Sequence, residues 1–282
     1  MEFPVDFAGL AVGAFESRRA DDTERLIEKF HGQPFVSPSM REVPIEKNAD
    51  AIHMAQELMT GHIDVVLVMT GVGLKHWRSA IEKHIDETRF VNSLKDAITI
   101  VRGPKPAAVL KEWGIQPTHR IAAPNTWREI LDAIDGGISV TNQRVCLQEY
   151  GKANVSLIAG LEARGAKVFP LRVYQWAFPE DTNLLEQNVQ RLAQRQLDVV
   201  MFTSAHQVNN VIRMAEQLGV REAVLDSLNH VLVASIGPTT SEMLNDHDIA
   251  VDLEPSHPKL GHLVSETAAQ CHRLLAAKRA AN

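Results

Sequence analysis

DVVLVMT at residues 64–70 and DVVMFTS at residues 198–204 are one pattern occurring twice. Each begins with an acid, continues through an apolar run too short for a globular helix, and closes on a hydroxyl side chain. That is the expected form of a buried parallel strand turning into a helix. The interval between them is kept elsewhere. Gly103-Pro104 returns as Gly237-Pro238 at the same separation, and Gly32 in HGQPFVSP returns as Gly165 in RGAKVFPL at almost the same one. The chain therefore reads as two copies of one unit. Further strand-like runs are GLAVGAF (9–15), DAITIVRG (96–103), QRVCLQEY (143–150) and NHVLVASIG (229–237). Helical spacing of apolar residues falls between them, over Thr23–Phe30, Ala49–Met59, Pro106–Trp113, Val155–Ala163, Asn183–Arg195 and Val208–Leu218. Alternation of strand and helix throughout predicts an α/β fold with doubly wound parallel sheets. The irregular stretches SPSMREVP (37–44) and PLRVYQWAFP (170–179) stand at equivalent places and are the expected crossings from one lobe to the other.

Length and composition agree with two lobes. The chain has 282 residues, 45% of them hydrophobic and 23% charged, ordinary values for a globular protein of about two domains at roughly 150 residues each. No run of 18 apolar residues occurs and the first ten residues carry two acids and no base, so neither a membrane span nor a secretory signal is expected, and the cytoplasm is the expected location. Cys146 and Cys271 form no metal-type spacing. A net charge of −6 and 5% aromatic content argue against nucleic acid as a partner, since they supply neither a phosphate-neutralising surface nor many stacking platforms. The absence of a long apolar stripe points to a monomer.

Small and hydroxyl residues gather where strands should end: Thr70-Gly71-Val72-Gly73, Gly103-Pro104-Lys105, Thr203-Ser204-Ala205 and Gly237-Pro238-Thr239-Thr240. Open α/β sheets bind ligands outside the carboxyl ends of their strands, where helix N-termini offer amide N–H groups to anions. Any one of these Thr or Ser residues alone reads equally as a helix cap; four such loops together point to an anionic ligand. TGVG is no dinucleotide fingerprint, because His76 stands where a third glycine would, and no GxxxxGK[ST] loop occurs, so no nucleotide cofactor is expected. The 12 histidines form no ligand cluster and no metal is expected. Ser204 has no GxSxG context, which leaves hydrolase chemistry without a signature. Arg18, Arg102 and Lys105 lie at strand ends and could pair with carboxylates; Arg18 is the first choice, and Lys75 and Lys259 stand behind these. Tyr174, one of two tyrosines, falls in the crossing PLRVYQW. A phenol there could donate a hydrogen bond to a departing hydroxyl, or could simply pack its ring at the hinge.

The segments ITIVRGPKPAAVLKEWGI (98–115), LEARGAKVFPLRVYQW (161–176), DVVMFTSAHQV (198–208) and VASIGPTTSEML (233–244), in this order, resemble uroporphyrinogen-III synthase over nearly the whole chain. That resemblance implies a cofactor-free lyase that closes the linear tetrapyrrole hydroxymethylbilane into uroporphyrinogen III while inverting ring D, a step of tetrapyrrole and heme biosynthesis. The substrate is a polycarboxylate, which suits amide-rich helix starts in an acidic protein. Tyr174 matches the family tyrosine that assists loss of the terminal hydroxyl. Thr203, Ser204, Ala205, Gly237, Thr239 and Thr240 match substrate contacts of one lobe; Thr70, Gly71, Gly103 and Lys105 occupy the corresponding turns of the other, with Arg18 added as a carboxylate partner. A transient contact with the enzyme that supplies the substrate is also implied.

The family fold implies two flavodoxin-like lobes joined by two strands: residues 1–37 with 178–282 in one, 45–169 in the other, and 38–44 with 170–177 as the connection, placing Tyr174 between the lobes. Two other readings use the same features. A non-catalytic two-lobed binder, or a regulatory relative recognising a polycarboxylate, would show the same repeat and loops. A receiver-like signalling domain fits less well, since no acidic pair follows GLAVGAF.

Overall fold

The structure, a computed structural model, describes residues 6–46, 48–151 and 153–281. In chain order, β1 (Ala11–Ala14), α1 (Ala20–Lys29), β2 (Gln33–Val36) and β3 (Arg41–Pro44) come first. There follow α2 (Ala49–Met59), β4 (Val65–Val68), α3 (Gly71–Ile81), α4 (Glu87–Asp96), β5 (Ile98–Val101), α5 (Pro104–Glu112), β6 (His119–Arg120), α6 (Trp127–Asp135), β7 (Arg144–Gln148), α7 (Val155–Glu162), β8 (Lys167–Leu171) and β9 (Tyr174–Ala177). The remainder comprises α8 (Asn183–Ala193), β10 (Val199–Phe202), α9 (Ala205–Gln217), α10 (Arg221–Leu228), β11 (Leu232–Ser235), α11 (Pro238–Asn245) and α12 (Leu260–Ala281). The chain divides into two compact units, one of Met1–Arg41 with Ala177–Asn282 and one of Glu42–Trp176, here called the outer and inner units. The divisions fall at β3 and β9, which pair as a two-stranded sheet.

Both units are α/β with parallel sheets, as expected from the alternation. The inner sheet runs β6-β5-β4-β7-β8 and the outer sheet β11-β10-β1-β2. Val65 lies beside Val145 in the inner sheet, and Val199 lies beside Val12 in the outer one, so the repeat interval maps β4 onto β10 and relates β1 to β7 at almost the same spacing. The two sheets then have one spatial order, β8-β7-β4-β5 matching β2-β1-β10-β11. They differ in where the chain enters and in the edge strand β6, which the inner sheet has in addition. The place where strand order reverses lies between β4 and β7 in one unit and between β10 and β1 in the other, and such a switch point is where an open α/β sheet leaves a crevice.

The apolar runs explain the layers. Val66 and Val68 pack on one face of the inner sheet, Val65 and Leu67 on the other; Val200 and Phe202 face one side of the outer sheet, Val199 and Met201 the opposite. Helices cover both faces, so every position of β4 and β10 is apolar and these runs are continuous rather than alternating. Leu67 is fully buried, and truncation of such a leucine to alanine costs about 2–5 kcal/mol. The acid that opens each DVV run is structural. Asp64 Oδ2 accepts from the Arg144 backbone N–H at 2.8 Å, and Asp198 Oδ2 accepts from that of Ala11 at 3.0 Å, each tying the start of the neighbouring strand.

Several helices escape periodicity. Two glycines in its first turn disguise α3, whereas α4, α6, α10 and α12 lie in stretches that the spacing does not single out. Pro104 and Pro238 begin α5 and α11, with Gly103 and Gly237 as N-caps; a proline there gives up an N–H that would have no partner in the helix. Pro170 and Leu171, assigned from sequence to the crossing, pair with Leu147 and Gln148 as the end of β8. Among the described residues no helix is long and apolar enough to cross a membrane.

Candidate functional site at the strand ends

In the inner unit, Thr70 leaves β4 and caps α3, its hydroxyl accepting from the Gly73 N–H at 2.9 Å. Its own N–H donates to Gln148 Oε1 at 3.1 Å, which fixes the turn against the end of β7. Gly71 is required by a close approach: a Cβ there would lie 2.9 Å from the Lys105 carbonyl oxygen in the first turn of α5. Gly103 is buried at the head of α5, and Lys105 is exposed one turn beyond β5. Tyr174 begins β9 and is 1% exposed, its hydroxyl 3.4 Å from that of Thr70. It packs in the core of the inner unit, with its ring beside His76 of α3.

Around this phenol runs an aromatic series. The His76 ring lies 5.5 Å from Tyr174, Tyr174 meets Trp176 edge-on at 5.6 Å, and Trp176 lies 5.7 Å from Tyr150. The Arg102 guanidinium closes the series, 5.0 Å from the centre of the Tyr150 ring. Gly151, at φ 64°, makes the packing feasible; a Cβ there would come within 2.8 Å of Trp176 and 3.0 Å of Tyr174. Burial pushes Arg102 below its usual pKa, while Tyr150 and Tyr174 pull it back up. Burial likewise lowers the pKa of His76, which favours the neutral imidazole beside Tyr174. Glu149 is 3% exposed; its Oε2 accepts from Arg172 Nε at 3.3 Å, and among the described residues its Oε1 has no hydrogen-bond partner.

The outer unit is built differently on the same plan. Ser204 caps α9, its hydroxyl accepting from the His206 N–H at 3.2 Å, and Ala205 is the first helical residue. Thr203 is held from three sides. Its N–H donates to Gln207 Oε1 at 2.8 Å, its oxygen accepts from Gln207 Nε2 at 2.7 Å, and its hydroxyl donates to Glu16 Oε2. Glu16 Oε1 accepts from the backbone N–H groups of Arg18 and Arg19 at 3.0 and 3.2 Å, just ahead of α1. Gln207 Nε2 reaches Glu16 Oε2 as well, at 3.2 Å. Four donors thus occupy the roughly four lone-pair sites of one carboxylate. Arg18 is exposed. Gly237 is buried, Thr239 is exposed and Thr240 is 3% exposed in α11.

Within each unit, then, the predicted residues do stand at strand ends, and Thr70 and Ser204 act as helix caps. The residues that sequence reasoning misses are Glu16, Gln207, Gln148, Glu149, Tyr150, Trp176 and His76. The repeat holds one signal for them: Glu149 follows Glu16 at the same interval as the strands that precede them. Among the described residues no group of three or more His, Cys, Asp or Glu side chains could hold a metal.

This arrangement can bind anions through amides and cations and can donate a phenolic hydrogen bond. The structure is similar to that of a mutant uroporphyrinogen III synthase from Thermus thermophilus, with a TM-score of 0.72 at 23% identity, over 95% of this chain and all of that one. In sequence the chain is 28% identical over 263 residues to the uncharacterized protein YjjA of Bacillus subtilis, covering 92% of this chain and 94% of the other. It is also 28% identical over 233 residues to a putative uroporphyrinogen-III synthase of Methanothermobacter thermautotrophicus, covering 82% and 87%. The profile of uroporphyrinogen-III synthase HemD matches residues 21–265, and on that match the chain belongs to the uroporphyrinogen-III synthase family.

Proposed function

We propose that the protein is a cofactor-free synthase that converts hydroxymethylbilane into uroporphyrinogen III and water. The observation that carries this reading, within the family, is the pairing of the Tyr174 phenol with the Thr70 hydroxyl at the head of α3. In the reaction the terminal C–O bond breaks as a pyrrole nitrogen supplies its electron pair, leaving an azafulvene and releasing the hydroxyl, which takes up a proton as water. The substituted carbon of ring D then attacks to give a spiro intermediate. That intermediate fragments and recloses with ring D inverted, and the ring carbon loses its proton. Neither oxidation nor a second substrate is involved.

The protein's tasks are therefore to hold the chain of pyrroles in the reactive fold and to stabilise the departing oxygen. Tyr174 is assigned the hydrogen bond to that oxygen, with Thr70 orienting the phenol; contact with substrate requires the phenol to be uncovered from its 1% exposed position. Backbone N–H groups at the starts of α3, α5, α9 and α11 are assigned to the acetate and propionate carboxylates. A polycarboxylate binder without turnover is the second reading, and the covered phenol is what favours it. The test is to supply fresh hydroxymethylbilane to the purified protein without added metal or nucleotide, oxidise the product and separate the isomers. Type III product is expected. Type I alone, as in a control without protein, would leave the binder.

A further inference from the structure

Arg102 has two properties that a strand-end arginine rarely combines. It is partly buried, and its guanidinium stacks on Tyr150 at 5.0 Å, yet among the described residues it forms no ion pair with an acid. A partly desolvated cation normally finds a carboxylate, because leaving charge uncompensated in such a place costs free energy. Elsewhere in the inner unit Arg172, by contrast, pairs with Glu149, and Arg144 pairs with Asp64. The backbone at Arg102 is also fixed. Its N–H donates to the Val68 carbonyl at 3.0 Å, and the Asn125 amide, turned to donate, reaches its carbonyl at 2.8 Å. The stem is thus anchored at the end of β5, immediately before the amide-rich head of α5.

We infer that Arg102 is the carboxylate-anchoring residue of the inner unit, taking one acetate or propionate group of a tetrapyrrole polycarboxylate with Tyr150 as its backing plate. This rests on the proposed substrate class and adds to it a specific residue. The planar fork of a guanidinium matches a carboxylate in two parallel hydrogen bonds while its face remains on an aromatic ring. The equivalent position in the outer unit, one repeat interval on, is Ile236, which cannot do this. The residue is therefore a difference between the copies and not a feature of the shared plan.

The test uses the full chain with two readouts: steady-state formation of type III isomer, and binding of uroporphyrin I, a stable fluorescent octacarboxylate, followed by quenching. Arg102→Gln should raise KM and the uroporphyrin Kd about tenfold or more, the scale of one charge-assisted pair, with kcat changed less than about threefold. Arg102→Lys should recover part of the affinity, keeping the charge without the fork, and it guards against a Gln variant that fails to fold. A folded Arg102→Gln protein with wild-type KM and Kd overturns the assignment while the synthase reading stands. A wild-type protein that neither makes type III product nor binds uroporphyrin overturns both.

Discussion

The two strand-end clusters answer one problem in opposite ways. Where β1 ends in the outer unit, the N–H groups ahead of α1, the Thr203 hydroxyl and the Gln207 amide all converge on Glu16, so the protein supplies its own anion. Where β7 ends in the inner unit, the equivalent acid, Glu149, turns to Arg172. Past β4 in the same sheet, an arginine at the end of β5, Arg102, stacks on a tyrosine. Of two crevices built on one plan, one has the donors at its β1 end already satisfied by Glu16 and the other keeps a cation and a phenol. The difference teaches that a repeated fold can keep the placement of its loops while changing the charge placed on them.

The largest effect expected from this difference is on turnover. Tyr174→Phe removes the phenolic donor of the inner unit and should lower kcat for type III product by about 100-fold, the lower range for loss of a general acid. Thr203→Val in the outer unit removes a hydroxyl already committed to Glu16 and should change kcat by less than about threefold. The comparison breaks if the threonine variant is the more damaged of the two.

Stability should show the reverse asymmetry. Glu16→Ala strips the partner from the α1 start and from two side chains, at a cost of about 1.5 kcal/mol by analogy with lost helix caps. Glu149→Gln removes a buried charge of which one oxygen has no partner among the described residues and leaves a half-exposed Arg172 to water, so its cost should stay below about 1 kcal/mol. Urea unfolding of the two variants decides the matter; a larger loss for Glu149→Gln would mean that the inner acid, not the outer one, holds its loop.

How much of this can be read in advance follows from the range of the interactions. Strands such as Val65–Val68 are buried on both faces, so local composition announces them, and the return of Asp-Val and Gly-Pro at one interval announces the second copy. Helix α3 is disguised because its first turn needs Gly71 for close approach to α5, a tertiary demand that overrides local propensity. The candidate loops are visible because small and hydroxyl residues mark strand-to-helix turns. Their use is not visible. Thr70 and Ser204 cap helices, and the series from Arg102 through Tyr150, Trp176 and Tyr174 to His76 draws its members from the ends of β5 and β7, from β9 and from α3, which are far apart in the chain. Glu16 reads as any surface acid until the four donors around it are in place.

The smallest effect concerns pH and isolates one position of the comparison. Burial holds the His76 pKa below its usual value near 6.5, so the unfolded chain takes up this proton at a higher pH than the folded chain does. The groups facing it are the Glu42 carboxylate, 3.9 Å away, and the Tyr174 ring. With more protons bound in the unfolded state, stability increases with pH across this window; the contribution is present above about pH 6.5 and is lost as the pH falls below it. The equivalent position in the outer unit is Asn210, which does not titrate and donates to the Ser39 carbonyl at 2.9 Å. His76→Asn should therefore give the inner unit the pH response of the outer one, and the loss of stability between pH 7.5 and 5.5 should be smaller in the variant than in the wild type. Equal losses would show that the imidazole is as easily protonated in the folded protein as in the unfolded chain, and that Glu42 offsets the burial.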